Sequence, residues 1–317
     1  MKTKFGYADF TFFLSKFRTK RIGDSEILDK AAQLNLQCVQ VSLALNLEDG
    51  GVSVRKALRE KAERLGIELI GAGYGPAEPA ELEKAILAGK ELGARIVRHA
   101  CGPFRLMKPP LPRRQIIANL KKAARVAERE GVTLAIENHQ DYVSADLAAI
   151  MKSVGSPRVG VWLDTGNSIA LLEDPIDTAR TLAPYTRGVH LKEYAVLPSA
   201  KGFDLVGVLL GQGVVDNAAA LKIVRNESPE KTLLVTLENP LERCVIPLLS
   251  TAYVTDFARR RIGDLAALTA LIEKSREKFT DGIRLPQESG LTDDEIVAIE
   301  DQHNRQAVEY ARKNLGL

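Results

Sequence analysis

The sequence predicts an α/β fold, a closed (β/α)8 barrel carrying an additional C-terminal helical extension. Three observations lead there. Eight short, β-branched-rich apolar runs recur along the chain, amphipathic segments of helical period separate them, and each strand-helix unit spans about thirty residues. Regular alternation predicts a parallel sheet, and eight units fit a closed barrel better than an open doubly wound sheet. The open-sheet alternative is weakened further because FGYADFTFF follows the first run, where a dinucleotide fold needs GxGxxG.

The strands are expected at KFGYA (4–8), QCVQVSL (37–43), IELIGA (67–72), ARIVRHA (94–100), TLAIEN (133–138), RVGVWLD (158–164), RGVHLK (187–192) and LLVTLE (233–238). Between them SEILDKAAQL, VRKALREKAERLG, ELEKAILAGKELG and IIANLKKAARVAEREG carry the 3.6-residue period, several ending in a glycine suited to the helix C′ position. Beyond residue 239, DFARRRIGDLAALTALIEKSREKF reads as the last barrel helix. LTDDEIVAIEDQHNRQAVEYARKNLGL reads as a further helix, opened by a capping box from Thr292 to Glu295 and packed on the barrel exterior or on a second subunit. The expected division is a barrel over 1–280 and a C-terminal extension over 281–317.

Two connections are long enough to serve function. DFTFFLSKFRTKRIG places Phe10, Phe12, Phe13 and Phe17 after the first strand, where they either wall a pocket or lie under the first helix. EYAVLPSAKGFDLVGVLLGQGVVD is glycine-rich, follows the seventh strand, and is a lid candidate.

With 45% apolar and 27% charged residues over 317 positions, the composition is that of an ordered globular protein. A net charge of +3 is too small to imply a nucleic-acid partner, and the basic clusters Arg113–Arg114, Lys121–Lys122 and Arg259–Arg261 read as solvated helix faces. No run approaches the eighteen apolar residues of a membrane span, and MKTKFGYADF has no apolar segment before a cleavage site, so a cytoplasmic location without membrane partners is expected. Cys38, Cys101 and Cys244 fit neither a disulfide framework nor a zinc pair; Cys101 could line a pocket, but free buried thiols are the expectation.

Chemistry concentrates at strand ends. Glu137, Asp164, His190 and Glu238 each close an apolar run, and in a parallel barrel such ends converge on one mouth. One of them alone could be a helix cap or a satisfied core histidine. Four at matching positions make a mixed oxygen and nitrogen cage for one divalent metal ion, because a carboxylate on an apolar strand is costly unless paired or metal-bound. Side chains alternate along a strand, so His139 shares the face of Glu137 and Lys192 that of His190. His139 is a candidate base or ligand orienter, and Lys192 a candidate partner for a substrate carboxylate or enolate. Asn167, in the LDTGN turn, and His99, at the end of the fourth strand, are candidate substrate-binding groups.

The strings LAIENH, VGVWLDTGN, GVHLKE, GQGVVD and LLVTLENP together resemble the xylose isomerase-like TIM-barrel superfamily of sugar isomerases and epimerases, which also includes endonuclease IV. The resemblance implies that Glu137, Asp164, His190 and Glu238 hold one divalent ion (Mn, Mg, Co or Zn). It also implies that Glu137 and Glu238 exchange a proton across a metal-stabilised enediolate. Two places depart from the tagatose-type epimerase pattern: Asn167 stands where those enzymes have His, and Val196 where they have Arg. No DxH follows His190, which speaks against a trinuclear nuclease.

These features predict a metal-dependent isomerase or epimerase of a sugar or sugar-derived oxo compound. A metal-dependent lyase of an oxo acid is the alternative, and a non-catalytic sugar-binding barrel a lesser one. The expected partner is a small carbohydrate or oxo acid, with a homo-oligomer possible through the aromatic loop and the tail helix.

Overall fold

A computed structural model of the chain describes residues 1–42, 51–101, 111–250 and 262–317. Leu43, the Arg259–Arg261 cluster and the start of the segment expected as the last barrel helix lie outside the described residues. All eight expected runs form parallel strands: β1 (Lys2–Ala8), β2 (Cys38–Ser42), β3 (Glu68–Tyr74), β4 (Ile96–Ala100), β5 (Thr133–Glu137), β6 (Val159–Asp164), β7 (Thr186–Leu191) and β10 (Thr232–Leu237). They close in the order β1-β10-β7-β6-β5-β4-β3-β2. The seam pairs Lys2 with Thr232 and Tyr7 with Leu237.

The helices α1 (Asp24–Gln33), α2 (Gly51–Leu65), α3 (Pro79–Glu91), α4 (Arg113–Glu130), α5 (Ser144–Val154), α6 (Pro175–Leu182) and α7 (Asn217–Glu227) surround the strands. The helix α4 stops at Gly131, whose φ of 72° is the left-handed C′ geometry that its sequence predicts. Outward-facing Val39, Leu69, Val97, Leu134, Ile136, Val189 and Leu237 pack with Ile27, Leu82, Leu120, Ile150 and Leu221 of the helices in one core. Inside the barrel a second layer of Cys38, Ile70, Ile96, Ala135, Trp162 and Leu234 fills the axis. That inner layer sets the parity of every strand, since residues two further along point to the same interior.

The segment expected as a lid folds otherwise. Residues Tyr194–Ser199 (β8) and Gly202–Gly207 (β9) form an antiparallel hairpin, and Arg243–Ile246 (β11) adds to β9. Tyr194, Val196, Phe203, Leu205 and Ile246 bury one face of this sheet with Leu268. The period-2 alternation in FDL was therefore a strand signal, whereas YAV is apolar throughout and carries none.

Of the two tail helices the first lies elsewhere than expected and the second packs on the barrel exterior, as expected. Helix α8 (Ile262–Lys278) lies on β8, where Ser275 Oγ accepts from Val196 N at 2.7 Å, and not on the barrel wall. Helix α9 (Asp293–Leu315) packs on the barrel exterior between α7 and α1. Its Ala307, Val308, Ala311 and Leu315 enter the barrel's own core, and Thr292 and Glu295 form the expected capping box. No described helix is long and apolar enough to cross a membrane.

Candidate metal centre

One step above the inner layer, the strand parity delivers polar groups to the mouth. Trp162 is followed by Asp164, Ala135 by Glu137, and Ile96 by Arg98, while Glu238 stands just past β10 and His190 lies on β7. Glu137, Asp164, His190 and Glu238 are each at most 2% exposed, and their ligand atoms all lie within 4.8 Å of one another. His190 Nδ1 is 3.2 Å from Glu137 Oε1, 3.1 Å from Glu238 Oε2 and 3.9 Å from Asp164 Oδ2. In an octahedral shell with bonds of about 2.1 Å, adjacent ligand atoms lie about 3 Å apart, so the cluster has the dimensions of a divalent-ion site.

The surroundings fix each ligand. Gln40 Oε1 accepts from His190 Nε2 at 2.9 Å, which leaves Nδ1 facing the carboxylates. The indole of Trp162 meets the His190 ring edge-on at 5.3 Å. Asp164 Oδ1 accepts from Gly166 N and Asn167 N, both at 2.8 Å, which turns Oδ2 toward the cage. Asp164 Oδ2, Glu137 Oε2 and Glu238 Oε2 are buried and accept no well-aligned hydrogen bond among the described residues, although Lys192, Arg98 and His190 lie within ion-pair distance of them. Three such oxygens beside an imidazole nitrogen fit a divalent ion, which these four residues would hold.

Two cations share the site with them. Lys192 Nζ lies 2.9 Å from Glu238 Oε1, 3.2 Å from Asp164 Oδ2 and 3.4 Å from Asn167 Oδ1. Arg98 pairs with Glu137 Oε2 and lies 3.7 Å from Glu238 Oε2. Burial opposes ionisation of Glu137 and Glu238, but Arg98 and His190 beside the first, and His190 and Lys192 beside the second, hold both carboxyls below their usual range. For Asp164 burial dominates over Lys192 and raises it. Lys192 in turn is held well above its usual range by Asp164 and Glu238 despite its burial. Burial lowers His139 to about 4, leaving a neutral imidazole at physiological pH.

The cage opens into a cavity of about 540 Å³ lined by Arg98, His139, Asn167, Lys192 and Glu238, so these expected residues come together with the ligands. His99 does not join them. It stands one residue out of phase on β4, packs against Gly73, and its Nε2 bonds Gly75 O at 3.1 Å on the outer side of the sheet. Arg98 takes the interior place instead, because Ile96 fills the inner layer and fixes the parity. Arg98 and Gln40 are not among the residues expected from the sequence, since their strands are buried on both faces and the polar residue alone does not fix its side. Cys101 lies in the outer core and not in the cavity. Of the first-loop aromatics, Phe10 and Phe17 line the cavity, whereas Phe12 is buried in the core and Phe13 packs on a separate apolar cluster.

Glu193 and the GQGVVD segment form a second fixed unit. The Glu193 carboxylate accepts from Gly211 N and Val215 N, both at 2.9 Å, and Asp216 caps α7 through Ala219 N. Asn239, next to Glu238, accepts from Glu193 N at 3.0 Å and donates to Val208 O at 2.6 Å, tying the end of β10 to the hairpin.

Comparison with known proteins places the chain in a family. The chain is 27% identical over 210 residues to the uncharacterised protein YihM of Escherichia coli K12, a match covering 63% of this chain and 62% of that one. The chain thus spans about six-tenths of that relative's length. It is 25% identical over 206 residues to the 3-oxo-isoapionate decarboxylase of Pectobacterium atrosepticum, covering 64% of this chain and 74% of that one. Among solved structures, a D-psicose 3-epimerase superposes with a TM-score of 0.64 at 16% identity, over 99% of this chain and 100% of that one, a likeness of fold. The family described as xylose isomerase-like TIM barrel matches residues 28–243, a span that includes all four cage residues, and the chain belongs to that family.

Proposed function

We propose that the protein is a divalent-metal-dependent enzyme of sugar-derived oxo compounds, and that its reaction is that of a lyase, the decarboxylation of an oxo acid. One observation carries the choice of reaction: Arg98 and Lys192 tie up the two glutamates. Epimerisation through a glutamate pair needs both carboxylates to exchange protons with a carbon. Here Glu137 faces Arg98, His190 and Asn167, and Glu238 faces His190 and Lys192. Both read better as ligands than as proton carriers.

A lyase asks less of them. In decarboxylation the bond to the carboxyl carbon breaks, carbon dioxide leaves, the electron pair stays beside the carbonyl, and one proton is delivered to that carbon. A divalent ion held by Glu137, Asp164, His190 and Glu238 supplies a Lewis acid for the carbonyl and a neighbouring hydroxyl oxygen. Lys192 and Arg98 offset the negative charge beside it, and His139, on the cavity wall, is placed to move the proton. The relative from Pectobacterium atrosepticum, a decarboxylase, supports this reading. The second reading, a sugar isomerase or epimerase, rests on the placement of a Glu137 and a Glu238 oxygen at 3.2 and 3.1 Å from the same His190 nitrogen. For either reaction we take the setting to be cytoplasmic, the substrate a small molecule, and nucleic acid no partner.

The test is metal analysis of the purified protein with a screen of sugar-derived oxo acids, ketoses and inososes in deuterated water. Metal-dependent release of carbon dioxide is expected, and Glu238→Gln is expected to lower it at least about a thousandfold with an unchanged circular-dichroism spectrum. Deuterium incorporation without loss of carbon dioxide or water decides for the isomerase. Full activity of Glu238→Gln, or a protein that takes up no divalent ion, removes the metal centre from the account.

A further inference from the structure

The hairpin contributes to the cavity wall a residue that the metal centre does not use. Tyr194 opens β8 four residues after His190, is 1% exposed, and lines the same cavity as Lys192, Asn167 and Glu238. Its ring is fixed from several sides. Lys192 Nζ lies over it at 5.9 Å from the centroid, and Ile169, Leu171, Val196 and Val214 share one apolar cluster with it. The turn after Asp164 runs so close that a Cβ on Gly166 would lie 2.9 Å from Tyr194 Cδ2. The Tyr194 carbonyl accepts from Val214 N at 2.9 Å.

The polar end of this fixed ring is uncommitted. Among the described residues the Tyr194 hydroxyl makes no hydrogen bond. Nor is the oxygen sealed in the interior, as the unbonded Trp162 Nε1 is, so it opens on the cavity that its ring lines. Neighbouring polar groups on that wall are engaged. Gln40 Oε1 accepts from His190 Nε2, Lys192 holds Glu238 and Asp164, and Asn167 Nδ2 donates to Glu137 Oε1 at 3.3 Å. Burial, helped by the carboxylates of Glu242 and Asp164, keeps the phenol well above its ordinary range against the pull of Lys192. The hydroxyl is therefore neutral, and both donates and accepts.

We infer that Tyr194 is a substrate-binding residue, its hydroxyl paired with a substrate hydroxyl that lies beyond the two oxygens on the metal. Place and chemistry agree. Gly166, against the ring, is two residues from the ligand Asp164, and Lys192, over the ring, holds the ligand Glu238. A molecule chelated at the cage therefore has this phenol beside it. A hydroxyl of that molecule gives up water on entry and needs a new partner, and a neutral phenol supplies both a donor and an acceptor. A compound that ends at the chelating pair leaves Tyr194 unused. The inference rests on the proposed chelation of an oxo compound at the cage and adds a binding residue to it.

The experiment uses the manganese-loaded protein and two probes with one hydroxyketone head, hydroxyacetone, which ends there, and D-xylulose, which carries further hydroxyls. Binding is read from water-proton relaxation of the bound manganese. The unaltered protein is expected to bind D-xylulose more tightly than hydroxyacetone. Tyr194→Phe is expected to weaken D-xylulose about five- to tenfold, while hydroxyacetone changes less than about twofold and manganese affinity is unchanged. Undiminished binding of D-xylulose by the variant, an equal loss for both probes, or a loss of manganese affinity overturns the role of Tyr194 and leaves the chelation standing. So does unaltered protein that binds D-xylulose no more tightly than hydroxyacetone. Binding of neither probe by the manganese-loaded protein overturns both.

Discussion

Gln40 decides which nitrogen of His190 faces the cage, by a single bond of 2.9 Å to the other nitrogen. Replacing it with leucine keeps the volume and removes the acceptor. Gln40→Leu is therefore expected to lower divalent-metal affinity about 10–100-fold, measured by calorimetric titration with manganese, while thermal unfolding of the metal-free protein changes little. The four cage residues themselves were legible in the sequence because an acid or imidazole ending an apolar run is conspicuous. Gln40 and Arg98 were not, because CVQVS and IVRHA are buried on both faces, so a polar residue there does not tell from its neighbours whether it points to the axis or outward. The misplacement of His99 has the same origin. Only the packed layer below, with Cys38 and Ile96 turned to the axis, says which neighbour points into the mouth.

At the scale of elements, helix α9 acts as a brace for the loop after β1. Glu300 is fully buried, and its carboxylate accepts from Leu14 N at 2.7 Å, Ser15 N at 2.9 Å and Ser15 Oγ. Burial raises its proton affinity and these three donors lower it. Glu300→Gln turns one acceptor into a donor facing donors, and is expected to cost about 2–3 kcal/mol in urea unfolding. A variant as stable as the parent would show that the brace contributes nothing. The helix was legible from its period and capping box, and the barrel exterior was one of the two places expected for it. The preceding α8 has the apolar content of a barrel helix, and only the hairpin, with a sheet face needing cover, draws it away. The hairpin was not legible because YAV is apolar without alternation and Gly202, Gly207, Gly211 and Gly213 make the rest of the segment look like a loop.

For the molecule as a whole, Glu193 makes stability depend on pH. Burial pushes its carboxyl up to about 7, against the donors from Val215 and Gly211. The unfolded chain loses this proton near pH 4.5 and the folded chain near 7, so between those values the folded state binds more protons and stability falls as pH rises. The contribution is present in full below about 4.5 and gone above about 7, and amounts to at most about 3 kcal/mol. Glu193→Gln should flatten the stability profile of the metal-free protein over that window relative to the parent in chemical denaturation. Parallel profiles would locate the titration elsewhere. The group joins β7 to the GQGVVD segment and, through Asn239, to the end of β10, so the dependence belongs to the barrel mouth as a unit.

The wiring around Asn239 also orders the birth of the site in time. All four cage residues are synthesised by residue 238, yet the segment just after Glu238 is moored to Thr11 at one extreme of the chain and to His303 near the other. Strand β1 must wait for β10 before the barrel can close, and the loop it leads into must wait for Glu300. On the ribosome the four cage residues therefore emerge before the segments that fix their surroundings, and their arrangement is completed only once α9 has been made and docks.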